Sequence, residues 1–155
     1  MKGSEKVIKQ LRFLLRNELA ARDQYFAHGR AYDDMGLSKL YERLDHEMQE
    51  EIQHADMIIK RMLFLEAKPD LSDLAEMNVG STVQEMMKND LDFEYRVTKA
   101  LREAIAVCEA EQDYQTRQVL LPILADTEED HAHWLEQQLG LIEKLGLPNY
   151  LQSQM

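Results

Sequence analysis

Apolar residues recur every three to four positions along almost the whole chain, and four long runs of that period predict four helices. The runs extend from Glu5 to Asp34, Lys39 to Leu65, Thr82 to Ala110 and Tyr114 to Leu145. They are separated by "MGLS" at 35–38, by the stretch from Lys68 to Ser81, and by a weak break between Glu111 and Gln115. Gly146 offers a helix stop and Pro148 a fresh first-turn position, so "LPNYLQSQM" predicts a short fifth helix. The second connection, "EAKPDLSDLAEMNVGS", is long for a bundle, where two to about eight residues are usual. About 14 extended residues reach roughly 45 Å, close to the length of a helix of about 28 residues at roughly 1.5 Å each. The connection can therefore cross the entire bundle and leave the second and third helices parallel. The expected fold is all-α: a four-helix bundle with a long crossover between helices two and three and a short C-terminal helix, in one domain spanning residues 1–155.

A 4–3 spacing laid along each run exposes what interrupts the apolar seam. The first seam reads Val7, Leu11, Leu14, Glu18, Ala21, Tyr25; the second reads Leu44, Met48, Glu51, Ala55, Ile58, Met62. The third reads Val83, Met87, Asp90, Glu94, Val97, Leu101, with Leu91 competing with Asp90 for the inward place; the fourth reads Leu121, Leu124, Glu128, His131, Leu135. Every helix thus carries one inward Glu near its middle. The spacing also repeats: 33 residues separate Glu18 from Glu51, with His54 three further on, and 34 separate Glu94 from Glu128, with His131 three further on. The chain looks like two copies of one helical hairpin, each ending in E-x-x-H, which sets a carboxylate and an imidazole on adjoining turns of one face. Taken singly, each of these residues reads as a solvated helix acid or an ordinary histidine. Taken together they do not, because burying several unpartnered carboxylates costs several kcal/mol each unless they protonate or bind cations. Four Glu and two divalent ions form a neutral cluster, and mixed carboxylate and imidazole donors suit iron or manganese better than calcium. Zinc could bind there too, without redox chemistry.

Composition narrows the field. A formal charge of −11, from 29 acids against 18 bases, disfavours nucleic acid as a partner and favours cations. The single Cys108 forms no internal disulfide and the N-terminus lacks the apolar block of a secretory signal, so a reducing cytoplasm is expected. No run reaches about 18 consecutive apolar residues, so no membrane span is expected. Pro122, inside the fourth run, removes a backbone hydrogen bond and predicts a kink or bulge just before Glu128. The 34-residue interval, one longer than the first, agrees with a π-bulge that re-aims the side chains.

The stretches "NELAARDQYFAHGRAY", "LYERLDHEMQEEIQHAD", "RMLFLEAKPDL", "LREAIAVCE" and "ADTEEDHAHWLEQQLGLIEKLGLPNYLQSQM" resemble the bacterioferritin and bacterial ferritin family of iron-storage proteins over nearly the whole chain. The resemblance implies a ferritin-like bundle in which Glu18, Glu51, His54, Glu94, Glu128 and His131 form a di-iron ferroxidase centre. Glu51 and Glu128 would bridge, and Glu18 and Glu94 would bind terminally. Two Fe(II) would be oxidised by O2 or peroxide and stored as ferric mineral in a 24-subunit homo-oligomeric shell, with the fifth helix lining its four-fold channels. Tyr25, seven residues after Glu18, would hydrogen-bond a ligand or supply an electron, and reads equally as a core aromatic with a satisfied hydroxyl. His46 and Glu50 correspond to residues that can hold iron on the cavity wall, although a solvated face is the plainer reading. Trp134 reads as packing, next to an electron-transfer role. Where haem-binding members place a ligating Met, this chain has Ile52, so haem b is not expected in the homo-oligomer. Co-assembly with a haem-binding bacterioferritin subunit and a ferredoxin-type reductant for iron release are further partners the resemblance implies. The alternative is a di-iron carboxylate oxidase or peroxidase of the same fold without a storage role. A metal-free helical interaction protein and a DNA-protecting mini-ferritin fit less well.

Overall fold

A computed structural model of the chain describes residues 1–155. Helix α1 spans Glu5–Asp34, α2 Ser38–Phe64, α3 Val83–Ala110, α4 Tyr114–Ala125, α5 His133–Leu145 and α6 Leu147–Ser153; a π-helical segment, Asp126–Ala132, joins α4 to α5. The fourth expected helix is therefore one rod with a wide turn in it. The bulge that Pro122 predicts lies four residues beyond the proline and encloses Glu128 and His131 rather than preceding them. The other boundaries differ from expectation by one residue at most: α2 starts at Ser38 and ends at Phe64, and α3 starts at Val83.

Three helices stop in the same way. After α1, Gly36 takes a left-handed conformation (φ 80°); its N–H reaches the Asp33 carbonyl and that of Leu37 reaches Tyr32. The same pair of bonds closes α2 around Glu66 (φ 62°) and α3 around Gln112 (φ 58°), although neither is glycine. At the other end of α3, Thr82 accepts the Glu85 N–H at 3.2 Å, and the Glu85 carboxylate accepts the Ser81 N–H at 3.0 Å.

The hydrogen bonds fix the topology. Gly3 N–H donates to the Leu65 carbonyl, so α2 ends where α1 begins, and Ser4 pairs with Glu111 at the same end, so α3 ends there as well. Helices α2 and α3 thus run parallel to each other and antiparallel to α1. The crossover that joins them climbs the bundle beside α1. Ala75 N–H meets the Arg16 carbonyl midway, and near the top Asn78 N–H donates to Gln24 Oε1 (2.9 Å) and Gly80 N–H to His28 Nε2 (3.0 Å). Gly80 is required by its close approach, since a Cβ there would stand 2.9 Å from the Met86 nitrogen. With Nε2 accepting, His28 Nδ1 donates to Asp90 Oδ1 at 2.8 Å, and Gln24 Nε2 donates to the same oxygen. Asp90 therefore wins the inward place from Leu91 because buried partners await it.

One contiguous core of 34 buried residues fills the bundle. α6 folds back against it through the fully buried Tyr150, whose hydroxyl donates to Gln138 Oε1 at 2.6 Å. No helix is long and apolar enough to cross a membrane.

Candidate metal centre

Midway along the bundle the apolar core gives way to acids. Glu18 from α1, Glu51 and His54 from α2, Glu94 from α3 and His131 from the π segment converge there, none more than 2% exposed. His54 Nδ1 lies 3.4 Å from Glu18 Oε2 and 3.5 Å from Glu51 Oε2. His131 Nδ1 lies 3.0 Å from Glu51 Oε1 and 3.5 Å from Glu94 Oε1. The two oxygens of Glu51 thus face different histidines. Two overlapping trios result, Glu18–Glu51–His54 and Glu51–Glu94–His131, each with its ligand atoms within 4.8 Å of one another. The imidazole rings lie nearly parallel with centroids 5.9 Å apart. Both Glu18 oxygens and both Nδ1 atoms are buried without a well-aligned hydrogen bond. Buried polar atoms normally have partners, so a cluster of orphans aimed at one another is the arrangement that cations complete.

The electrostatics point the same way. Burial, followed by the adjacent Glu51 charge, raises Glu18 well above the ordinary carboxylate range. Burial would raise Glu51 as well, but the close approach of Glu18, His131 and His54 outweighs it and holds Glu51 low. Glu94 is raised, chiefly by burial. His54 is pushed up to about 11, because Glu18 and Glu51 outweigh the burial that opposes its charge. Burial opposes the charge on His131 too, but Glu94, Glu47, Glu50 and Glu51 raise it far above the imidazole range. Protons on the two imidazoles thus serve as the internal cations of the group, and metal ions would replace them.

Each histidine is oriented from behind by a second carboxylate. His54 Nε2 donates to Asp126 Oδ2 at 2.9 Å. His131 Nε2 lies 2.5 Å from both Glu50 Oε2 and Glu47 Oε2, and the bond from His131 holds Glu50 down at about 2. Each Nε2 donates to its carboxylate, and Nδ1, which gives up its own proton when a cation binds, faces the cluster, the arrangement found behind metal-ligating histidines. The buried Tyr25 hydroxyl donates to Glu94 Oε1, holding that carboxylate from the far side.

The remaining seam acid is placed differently. Glu128 turns outward, and its Oε1 accepts from Arg102 Nε at 2.9 Å and Nη2 at 2.5 Å. His46 is exposed and pairs with Glu50 Oε1 at 2.8 Å. Ile52 is 43% exposed on the outer surface of α2. Trp134 is half-buried beneath the Arg43 guanidinium.

The sequence reading missed Glu47, Asp126, Asp130 and Arg43. Glu47 is 2% exposed and, with Glu50, Asp130 and His131, forms a third group whose ligand atoms lie within 4.8 Å. Its place one turn before Glu51 was an available signal. Asp126 and Asp130 face their partners only because the π turn widens the helix, which no periodicity reveals.

Compared with models of known families, the chain matches the ferritin family, described as "Ferritin-like domain", over residues 8–145. It is 66% identical over 155 residues to the bacterial ferritin of Synechocystis sp., covering 100% of this chain and 99% of that one. It is 56% identical to the bacterial ferritin of Pseudomonas aeruginosa over the full length of both. To the bacterioferritin of Brucella melitensis it is 38% identical over 150 residues, covering 97% of this chain and 92% of that one. The match over nearly its whole length and the buried acid–imidazole core agree that the chain belongs to the ferritin family.

Proposed function

We propose that the chain is an iron-storage subunit whose buried acids and imidazoles form a ferroxidase centre for two ferrous ions. The observation that carries this reading is Glu51, whose oxygens face two histidines and so serve two adjacent cation positions as a bridge. One ion lies among Glu18, Glu51 and His54, and the other among Glu51, Glu94 and His131. Glu128 joins the second by leaving Arg102. That departure is cheap, because the pair is partly exposed and such ion pairs contribute about 0–1 kcal/mol. Four carboxylates then balance two divalent ions, and the histidines bind as neutral imidazoles after releasing protons. Each ferrous ion gives up one electron. O2 accepting the pair with two protons leaves as hydrogen peroxide, and peroxide accepting a pair with two protons leaves as two waters. Tyr25 keeps Glu94 oriented as the iron charge rises.

Ferric product moves past Glu50 and His46 toward a mineral store inside a shell of 24 chains. Ile52 offers no sulfur donor, so this chain alone holds little haem, and a haem-binding partner subunit is the route by which a mixed shell acquires it. Adding Fe(II) to the purified protein in air, with no organic substrate, tests the reading. About one O2 consumed per two Fe(II) is expected when O2 is the oxidant, and oxidation no faster than in buffer sinks it. Light scattering tests the shell: a particle of 24 chains of 18.1 kDa is expected, and a monomer or dimer alone contradicts it.

A further inference from the structure

Among the arginines and lysines, only Arg43 pairs with a buried acid of this region. It stands on α2 one turn before Glu47; its Nη2 meets Glu47 Oε1 and lies 2.7 Å from Asp130 Oδ1 on the π segment. The guanidinium carbon lies 4.7 Å from the centre of the Trp134 ring, so the same side chain bridges two carboxylates and stacks on an aromatic face. A planar, permanently charged fork does both at once, and a lysine ammonium does not.

The carboxylates that Arg43 holds have a second use. Glu47 is buried, yet neither of its oxygens makes a well-aligned hydrogen bond. With Glu50, Asp130 and His131 it forms a ligand group of its own, adjoining the inner pair through the shared His131 ring. Three carboxylates around one point bind a divalent cation, but Arg43 already contacts two of them. A guanidinium and a metal ion on the same oxygens repel, so one excludes the other.

We propose that Arg43 is a tethered counter-ion of the Glu47–Glu50–Asp130 group, anchored on Trp134, and that a further divalent cation binds those carboxylates only as Arg43 withdraws. The proposal rests on the dinuclear reading only in calling that ion the third. Its consequence is an ordered exit: iron stays at the inner positions until it displaces a positive charge that cannot be titrated away.

Trp134 is the only tryptophan of the chain and stacks under Arg43, so withdrawal of the guanidinium is expected to change its emission. The experiment titrates chelator-treated full-length protein with Zn(II), which undergoes no oxidation, and reads bound metal by equilibrium dialysis alongside Trp134 emission. In the wild type a weak step after the first two equivalents is expected to change the emission. Arg43→Gln should tighten that step by about tenfold or more and remove its emission change, and Arg43→Lys should fall between. Unchanged affinity in both variants overturns the proposal, as does a wild-type third step that leaves Trp134 emission unmoved. A wild type that lacks the first two equivalents, with a late step still tightened in Arg43→Gln, sinks the dinuclear reading and upholds the role of Arg43. If the variants do not fold, the wild-type emission change decides alone.

Discussion

The two halves of the site start from the same motif and end differently. In the α1–α2 half, Glu51 and His54 sit on a regular α-helix, where three residues amount to roughly 300° and the two side chains fall about 60° apart. In the α3–α5 half, Glu128 and His131 sit on i→i+5 bonding at roughly 4.4 residues per turn, where three residues amount to roughly 245° and the side chains splay by about 115°. His131 keeps its inward place, and Glu128 is thrown out to Arg102. The same wide turn lets Asp126 reach across to His54, and Asp130 to Arg43. One half keeps its donors on regular α-helices. The other trades one carboxylate for adjustable outer contacts.

Breaking the shared element should have the largest effect. Glu51→Gln removes the acid common to both halves, and Fe(II) oxidation followed by stopped-flow absorbance is expected to fall by about a hundredfold or more; retention of near wild-type rates contradicts the sharing. Smaller losses separate the halves. Asp126→Asn weakens the orientation of His54, and Glu50→Gln that of His131, each expected to cost about tenfold in metal affinity at one step of a two-step titration. If either variant weakens both steps equally, the two histidines do not serve separate positions.

The next effect concerns protons and appears only in metal-free protein. His54 is raised from 6.5 to about 11, so its contribution to stability is complete below pH 6.5 and is lost as pH rises toward 11. Glu18, also raised, adds a loss that begins above its ordinary 4.5. Glu51, lowered, contributes above 4.5 and loses that contribution only on acidification. The melting temperature of chelator-treated protein should therefore fall between pH 6.5 and 9.5, and a rise across that window contradicts the protonated cluster. For the same reason Glu18→Gln, which needs no proton to stay neutral, should raise the metal-free melting temperature at pH 8 by about 2–4 °C. The smallest change lies far from the site. Gln112→Gly relieves a left-handed residue at the end of α3 and should add about 1 °C or a little more.

The bundle was legible because period, breaks and crossover length all agreed, and the crossover proved long enough to run beside α1 to His28. Glu18, Glu51 and Glu94 could be turned inward on paper because their helices are regular. The ends of α2 and α3 gave weaker signals, since Glu66 and Gln112 occupy positions where glycine usually marks a stop. Pro122 announced a bulge without its extent, and that extent decides where Glu128, Asp126 and Asp130 point. Glu47, one turn before Glu51, lay within reach of the pattern; its contacts with Arg43 and His131 belong to tertiary structure.

Anaerobic Co(II) titration of the chelator-treated protein, by calorimetry and visible absorption, tests the shared carboxylate most directly. Two equivalents per chain are expected for the wild type, with both steps weakened about tenfold or more in Glu51→Gln. A single equivalent in the wild type, or a Glu51→Gln variant that loses only one of the two, contradicts a carboxylate that serves both positions.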